Sequence, residues 1–413
     1  MPSPVTPARG MRDFLPAEKR RRDLVLETIR STYRSFGFDE IETPVVEDSG
    51  RLHAGLGGDN EKLAFAVMKR GLDREALQAA DTPLDLADLG LRFDLTVPLA
   101  RFYASHRATL PTVFRSIQIA PVWRAERPQK GRYRQFVQCD IDIIGEPSAM
   151  AEIELLSATS AVVEKLGLVG TTIRINDRRI LQSLLRHWSV PADRTETALV
   201  IIDKLDKIGV DGVVAELEGI GVPTEGLAAQ LGELAGATWR TGEAAPAWLD
   251  AAAFADLVAL RDALPEARLE FDPTLVRGMG YYTGTIFEIA HPDFGYSLGG
   301  GGRYDGMIGR FLGSDVPAAG FSLGFERLVD LVELPEGGGD GGLVLLYDRG
   351  LDPVALVRLQ GELVARGERV RLDRKAKNLT NQLSGLAGLG YSRFAVVRDA
   401  GVSAEELEVR ELS

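Results

Sequence analysis

The sequence FRSIQIAPVW-RAERPQKGRYR-QFVQCDIDII, residues 114–144, gives the strongest indication of the fold. Its two outer segments are rich in β-branched, aromatic and other apolar residues, which predicts two paired strands joined by the basic loop 124–134. Two more strand-like segments, 38–41 and 285–290, lie among helical segments without a regular strand–helix alternation. We therefore expect an α+β fold, with an antiparallel sheet flanked by helices.

Apolar residues also recur at helical spacing in two groups of segments. In the sheet-forming part of the chain, the predicted helices are 16–36, 149–166 and 325–334. Residues 172–270 predict a helix-rich insertion, with helices at 180–188, 196–207 and 252–264.

The C-terminal part begins with PEGGGDGG at 335–342, which can bury nothing and is predicted to be a linker. Beyond it, strands and helices alternate, which predicts a small α/β domain with a mostly parallel sheet. Its predicted strands are 343–347, 370–372 and 394–397, and its predicted helices are 353–365 and 379–389. The domain boundaries we expect are 1–171 and 271–334 for the two parts of the core, 172–270 for the insertion, 335–342 for the linker and 343–413 for the small domain.

The composition excludes several classes of protein. No run approaches the ~18 apolar residues of a membrane-spanning helix, and the N-terminus lacks the apolar segment of a secretory signal. One cysteine, Cys139, excludes an intramolecular disulfide and, with only four scattered histidines, makes a Cys/His zinc site unexpected. We expect a cytoplasmic protein, since a lone cysteine fits a reducing compartment.

Two common enzyme motifs do not apply to this chain. GFSLG at 320–324 matches a hydrolase nucleophile motif, but no histidine follows it to complete the catalytic triad. No Gly-Lys-Ser/Thr sequence of a phosphate-binding loop is present.

The net charge of −12 argues against indiscriminate binding of nucleic acid. The charges are unevenly distributed along the chain, however. The loop 124–134 holds five basic residues and one acidic residue, and residues 343–398 hold ten basic and five acidic residues. A polyanionic partner would therefore bind at these two regions.

Two motifs contain arginines suited to a ligand. Each arginine of the basic loop could bind two phosphate oxygens at once through its guanidinium group. A solvated hairpin tip explains the loop about as well. In LVRGMGYYTG at 275–284, Arg277 lies between apolar residues and glycines, with Tyr281 and Tyr282 close behind it. Paired tyrosines are often only packing residues, but glycines permit a close approach of backbone to ligand.

Glycines and carboxylates complete the candidate site. Four consecutive glycines at 299–302 cost much backbone entropy, which favours a ligand-facing loop over a spacer. Asp94, Asp140 and Asp142 lie on or near predicted strands. Together these features indicate one cleft for an anionic nucleotide and a cationic small molecule.

Several of these motifs resemble those of histidyl-tRNA synthetases, which are class II aminoacyl-tRNA synthetases. The resemblance covers essentially the whole chain, from GMRDFLP at 10–16 onward. The matching segments are FDEIETP at 38–44 (motif 1), LRFDLTVP at 91–98 (substrate amine), RAE at 124–126 with its loop (motif 2), 275–282 and 301–305 (histidine-specific signatures), and GFER at 324–327 (motif 3).

The resemblance implies that histidine and ATP form histidyl-adenylate and pyrophosphate, and that the histidyl group then passes to tRNA. Arg277 and Arg124 would be catalytic, Arg277 by stabilising the pentacoordinate α-phosphate. The implied histidine-binding residues are Asp94, Leu95, Thr96, Arg124, Gln138, Asp142, Arg277, Tyr281 and Tyr282. The implied ATP-binding residues are Arg124, Glu126 and Arg327, and those facing tRNA are Arg127 and Gln129.

The resemblance also implies partners. ATP with Mg²⁺ would be a substrate, no cofactor would be tightly bound, and no protein metal site is expected. Motif 1 implies a homodimer, and no membrane association is expected because no long apolar run is present. Residues 343–413 resemble a short anticodon-binding domain, whose last 15 residues hold one basic and five acidic side chains. One departure is Gly280, which stands where the family usually has an acidic residue.

A second function stays open from the sequence. It is that of a histidine-binding paralogue, either the regulatory subunit of ATP phosphoribosyltransferase or an enzyme that activates histidine for an acceptor other than tRNA. Regulatory paralogues lose signature residues and the C-terminal domain, whereas Arg124, Arg277 and Arg327 are present here and a C-terminal domain follows the linker. The sequence therefore favours the ligase.

Overall fold

The computed structural model describes residues 5–53, 63–129, 131–235, 246, 248–277, 281–333, 341–399 and 401–412. The described helices are α1 (Pro16–Ser35), α2 (Ser49–His53), α3 (Arg74–Ala79), α4 (Thr96–His106), α5 (Met150–Lys165), α6 (Arg178–His187), α7 (Thr195–Ile202), α8 (Leu205–Gly219), α9 (Leu227–Ala235), α10 (Ala251–Ala263), α11 (Asp305–Leu312), α12 (Phe325–Leu331), α13 (Pro353–Ala365) and α14 (Leu379–Gly388). The described strands are β1 (Asp39–Glu40), β2 (Val46–Asp48), β3 (Phe65–Met68), β4 (Ala87–Leu91), β5 (Phe114–Trp123), β6 (Gln135–Ile144), β7 (Thr172–Asp177), β8 (Leu269–Phe271), β9 (Thr285–His291), β10 (Phe294–Arg303), β11 (Ala318–Gly324), β12 (Gly342–Tyr347), β13 (Val370–Arg374), β14 (Tyr391–Val397) and β15 (Val409–Glu411). Within these ranges, no helix is both long and apolar enough to cross a membrane.

The chain forms two compact units, a larger one of residues 1–12 and 26–332 and a smaller one of residues 13–25 and 333–413. The central sheet of the larger unit has the strand order β1-β5-β6-β11-β10-β9-β7-β8. Neighbours from β5 to β7 pair antiparallel, while the edge strands β1 and β8 pair parallel. The predicted α+β fold with an antiparallel sheet is confirmed.

The predicted hairpin positions the basic loop. Strands β5 and β6 pair along their whole length, from Phe114 opposite Ile144 to Trp123 opposite Gln135. The loop 124–134 therefore emerges at one end of two neighbouring strands of the sheet. A separate antiparallel sheet, β2-β4-β3, was not predicted from the sequence.

The glycine run 299–302 lies in strand β10, and the expectation of a loop was wrong. Gly301 is opposite Phe287 of β9 on one side and Phe321 of β11 on the other. A Cβ atom at Gly301 would lie 1.9 Å from the carbonyl oxygen of Gly320. The glycines are needed because the neighbouring strand approaches closely, and a side chain would push it away.

Most predicted helices are present with ends shifted by one or two residues. The predicted helix 196–207 consists of two helices, α7 and α8. Helix α12 was predicted to reach Leu334 but ends at Leu331, because Val332 takes an extended conformation (ψ 122°). The last residue of the predicted range, 334, lies outside the described residues. Strands β7 and β8, near the ends of the predicted insertion 172–270, belong to the central sheet, and the domain boundaries stay a prediction.

The smaller unit contains the predicted α/β domain. Its sheet has the order β13-β12-β14-β15, with β12 parallel to both neighbours and β15 antiparallel at the edge. Side chains alternate along β12, so Leu343 and Leu345 pack with α13 on one face, while Val344 and Leu346 pack with α14 on the other. Residues 335–340 of the predicted linker lie outside the described residues.

Candidate active site

A cavity of about 340 Å³ lies in the larger unit, where β6, β10 and β11 run side by side. Of the thirteen residues to which the resemblance assigns a role, ten line it, namely Asp94, Thr96, Arg124, Glu126, Gln138, Asp142, Arg277, Tyr281, Tyr282 and Arg327. Three others do not line it. Leu95 is buried and its carbonyl oxygen accepts a hydrogen bond from Gln118 Nε2 (3.1 Å), while Arg127 and Gln129 are exposed in the basic loop.

Strand β6 directs three polar side chains into the cavity, because alternate residues of a strand share a face. These buried residues are Gln138, Asp140 and Asp142. The Gln138 Nε2 atom donates to Ser322 Oγ at 3.0 Å and lies 3.4 Å from both carboxylate oxygens of Asp140. The hydroxyl of Tyr304 donates to Asp142 Oδ1 at 2.6 Å.

The sequence motifs indicate roles for Gln138 and Asp142, but they do not single out Tyr304 and they give Asp140 no specific role. Both could have been found. The alternation of β6 places Asp140 on the same face as its two neighbours, and Tyr304 lies within the signature at 301–305.

Asp94 offers an unsatisfied acceptor. It lies just before α4, and its Oδ1 atom accepts a hydrogen bond from the backbone N–H of Val97 at 3.2 Å. Its Oδ2 atom is buried without a hydrogen-bond partner in the described residues, and so is Oε1 of Gln138. Buried acceptors of this kind are costly, so a ligand that brings donors into the cavity would stabilise both groups.

Burial raises the pKa of all three carboxyl groups in the cavity. The pKa of Asp94 is about 6. That of Asp142 is about 7, although the hydrogen bond from Tyr304 lowers it in part. Burial, with the charge of Asp142, raises the pKa of Asp140 well above its ordinary value. A cationic ligand would favour the ionised forms.

Aromatic side chains form the wall next to Asp142. The ring centroids of Tyr281 and Tyr282 are 4.7 Å apart, and Tyr281 meets Tyr304 edge to face at 6.0 Å. Burial raises the pKa of each of these three tyrosines, so their hydroxyls stay protonated and able to donate at neutral pH. Gly280, the departure noted in the sequence, lies outside the described residues.

Two glycines make room for the charged groups of the cavity. A Cβ atom at Gly320 would lie 2.0 Å from Asp142 Oδ1. A Cβ atom at Gly300 would lie 2.6 Å from the guanidinium carbon of Arg277. A larger residue at Gly320 would displace Asp142. One at Gly300 would displace Arg277 and would also press on the carbonyl oxygen of Phe287, which lies 2.6 Å from the same Cβ position.

Side chains of the central sheet hold Arg277 in place. Its Nη1 atom donates to Glu288 Oε2 of β9 at 2.6 Å and lies 3.5 Å from Ser297 Oγ of β10. Glu288 also forms an ion pair with Arg174 of β7. Burial alone would lower the pKa of Arg277, but neighbouring Tyr282 and Glu288 outweigh it and the pKa is raised. The cation therefore lies in the cavity with its orientation fixed before any ligand arrives.

Arg124 stands at the base of the basic loop. Its Nε atom donates to the carbonyl oxygen of Phe93 at 3.0 Å, and its guanidinium lies 5.0 Å from the ring centroid of Phe136. Burial lowers its pKa, while the carboxylates of Asp94 and Glu126 oppose that shift. Arg124 thus lies between the acidic part of the cavity and the loop.

A group of arginines also lines the cavity. Arg327 donates to the carbonyl oxygen of Ser297. Burial lowers the pKa of Arg327, and the positive charges of Arg132 and Arg277 lower it further. Because these guanidiniums repel one another, a polyanion bound among them would be favoured.

No group of three or more His, Cys, Asp or Glu side chains that could hold a metal ion occurs within the described ranges. Mg²⁺ commonly keeps several waters and binds through substrate phosphates with one or two carboxylates. Glu126, which pairs with Arg132 at 3.1 Å, lines the same cavity and fits that limited requirement.

The antiparallel sheet, with its acidic pocket and its group of arginines, agrees with the class II aminoacyl-tRNA synthetase architecture that the motifs indicated. A family model described as histidyl-tRNA synthetase matches residues 10–328. The chain belongs to the histidyl-tRNA synthetase family.

Individual relatives agree with this assignment. Over the full length of both chains, this chain is 59% identical to the histidine–tRNA ligase of Leifsonia xyli subsp. xyli. It is 43% identical to the probable histidine–tRNA ligase of Tropheryma whipplei, with 94% of this chain and 95% of that one covered.

Solved structures share the fold. The histidyl-tRNA synthetase of Nostoc sp. PCC 7120 has a TM-score of 0.75 at 25% identity, covering 99% of this chain and 97% of that one. A Bacillus halodurans protein described as an ATP phosphoribosyltransferase regulatory subunit/histidyl-tRNA synthetase also has a TM-score of 0.75, at 21% identity over 97% of this chain and 99% of that one. At that identity, the second likeness concerns the fold alone.

Proposed function

We propose that the protein ligates L-histidine to its tRNA through a histidyl-adenylate formed from histidine and ATP. The observation that carries this proposal is a single cavity that is lined both by buried carboxylates and by a group of partly exposed arginines. The 59% identical relative over the full chain supports the same reaction. The paralogue alternative is not favoured, because relatives at 59% and 43% identity are both named as ligases.

Histidine would bind in the acidic part of the cavity. The unpaired Oδ2 atom of Asp94 suits the α-ammonium group, and Thr96 and Gln138 would hold the amino and carboxylate ends. Asp142 and Tyr282 would contact the imidazole nitrogens, with Tyr281 beside them. Such a site rejects apolar analogues strongly, because they would leave its buried polar groups unpaired.

ATP would bind among the arginines. Arg124 would contact the α-phosphate, and Arg327 the γ-phosphate, with Glu126 in the same loop. Arg277 would stabilise the charge that develops on the pentacoordinate α-phosphate as the histidine carboxylate attacks and pyrophosphate leaves. A cation already fixed by Glu288 needs little reorganisation during the reaction. Mg²⁺ bound to ATP would neutralise phosphate charge.

Recognition of tRNA would use other parts of the chain. Arg127 and Gln129 are exposed in the basic loop and would face the acceptor end. The small domain at 343–413 would bind the anticodon region, using the basic excess of residues 343–398. We also propose the domain boundaries given above and a cytoplasmic location.

A homodimer through motif 1 is part of the proposal. Val45 and Val46, which directly follow this motif, are 40% and 37% exposed. Exposed apolar residues beside a predicted interface support its burial against a second copy. Sedimentation of the purified protein would test the dimer.

The deciding experiment measures two reactions. We expect histidine-dependent ATP–pyrophosphate exchange and, with tRNA added, formation of histidyl-tRNA. Absence of exchange would refute the ligase proposal. Exchange without charging of histidine tRNA would instead indicate activation of histidine for another acceptor.

Histidine affinity should depend on pH. Asp94 and Asp142 lose their protons near pH 6 and 7, so both carboxylates attract a cationic ligand above pH 7 and lose that attraction as the pH falls through their pKa values. Titration calorimetry between about pH 8 and about pH 5.5 should show that the affinity for histidine decreases as the pH is lowered. The substrate imidazole titrates in the same range, so Asp142→Asn is the control. An identical pH profile in both proteins would argue against contact between Asp142 and histidine.

A further inference from the structure

The segment GMRD at 10–13, noted in the sequence, has no role in the proposed reaction, yet residues 8–12 pack on the basic loop. Met11 N–H donates to the carbonyl oxygen of Ala8 at 2.9 Å, which forms a turn. Gly10 has a φ of +83°, a conformation that favours glycine. A Cβ atom there would lie 2.9 Å from Cγ of Arg134 and 3.0 Å from Cγ of Pro128. The turn is therefore packed tightly against the loop.

Backbone hydrogen bonds join this turn to the base of the loop. Arg134 N–H donates to the carbonyl oxygen of Gly10 at 2.8 Å. Arg124 N–H in turn donates to the carbonyl oxygen of Arg134 at 2.8 Å. Arg124, which lines the cavity, is thus one residue removed from a direct contact with the N-terminal turn.

Arg12 joins two walls of the cavity. Its guanidinium lies over the ring of Tyr133 in the basic loop, 3.4 Å from the centroid. It also forms an ion pair with Glu326 of α12, whose side chain is 8% exposed while that of Arg12 is 31% exposed. Glu326 Oε1 accepts a hydrogen bond from the N–H of Val137 in β6 at 3.2 Å. Tyr133 and Glu326 both line the cavity, so Arg12 fixes them relative to each other.

We infer that Arg12 is a positioning residue for ATP. It holds the basic loop against α12 and neutralises Glu326, so that Arg124 at the base of the loop and Arg327 of α12 can both meet the phosphates. Without this cation, the carboxylate of Glu326 would face the cavity where a polyphosphate binds and would repel it. The inference rests on the proposed function, and it adds a residue to ATP binding that touches no reacting atom.

The test compares Arg12→Ala with Arg9→Ala, a substitution of an exposed arginine in the same segment. In pyrophosphate exchange, Arg12→Ala should raise the KM for ATP about tenfold, the scale of a lost stacked cation, and leave the histidine dissociation constant unchanged. Arg9→Ala should behave as wild type. Arg12→Lys keeps the charge but loses planar stacking, so its KM should be intermediate.

A double-mutant cycle with Glu326→Gln isolates the ion pair. If Arg12 acts by neutralising Glu326, adding Glu326→Gln to Arg12→Ala should lower the KM for ATP toward the wild-type value. An unchanged KM in Arg12→Ala, or an equal loss of histidine affinity, would overturn the inference; if that variant fails to fold, Arg12→Lys decides. Failure of the proposed function is distinguishable, since the wild type would then show no exchange.

Discussion

Replacing Arg277 with alanine should reduce histidine-dependent ATP–pyrophosphate exchange by about 100- to 1,000-fold while histidine still binds. The side chain lies in the cavity, its orientation fixed by Glu288 at 2.6 Å. It is proposed to meet charge that develops only as the α-phosphate becomes pentacoordinate. Its loss should therefore lower kcat far more than it changes the affinity for histidine. Exchange kinetics and calorimetry on the same preparation separate the two effects.

A second variant tests the same point without changing the arginine. In Gly300→Ala, the new Cβ atom would lie 2.6 Å from the guanidinium carbon of Arg277 and equally close to the carbonyl oxygen of Phe287 in β9. Both the arginine and the strand beside it should shift, so exchange should fall. The matched control on the same strand is Gly295→Ala, where a Cβ atom would meet nothing within 4 Å. Exchange unchanged in Arg277→Ala would remove this residue from catalysis. Equal losses in both glycine variants would indicate damage to β10 instead.

The sheet was predictable where strands have apolar, β-branched sequences. The hairpin of β5 and β6 has such a sequence, and its antiparallel pairing follows from the loop that joins the strands. Strand β10 was missed because the glycines at 299–302 have low strand propensity, and their conformation is set by the close approach of β9 and β11. The short edge strands β1 and β8 pair parallel, which no local pattern predicts.

The site was predictable as a set of residue types but not as a set of contacts. Motif spacing pointed to Asp142 and Arg277, whose side chains line one cavity. Tyr304 donates to Asp142 across 162 positions of sequence, and Arg12 pairs with Glu326 across 314. Pairings of that separation depend on the order of strands in the sheet, so they become visible only in three dimensions.

Asp142→Asn should weaken histidine binding by about 100-fold and leave the KM for ATP nearly unchanged. At neutral pH the carboxyl of Asp142 is close to its pKa of about 7, so a donor from the imidazole can draw it into the ionised form. An asparagine can still accept the hydrogen bond that Tyr304 donates, which preserves the local packing. It cannot become an anion. The loss measured by calorimetry therefore reports the charge.

Asp140→Asn provides the matched control, because Asp140 lies two residues away on the same face of β6 and lines the same cavity. Burial and the charge of Asp142 raise the pKa of Asp140 well above its ordinary value, so asparagine resembles its neutral form. We expect Asp140→Asn to lose several-fold less histidine affinity than Asp142→Asn. The difference should correspond to the extra free energy of a hydrogen bond to a charged group over one to a neutral group. The reverse order would assign recognition of the cationic substrate to Asp140, and Asp142 would then serve chiefly to hold Tyr304.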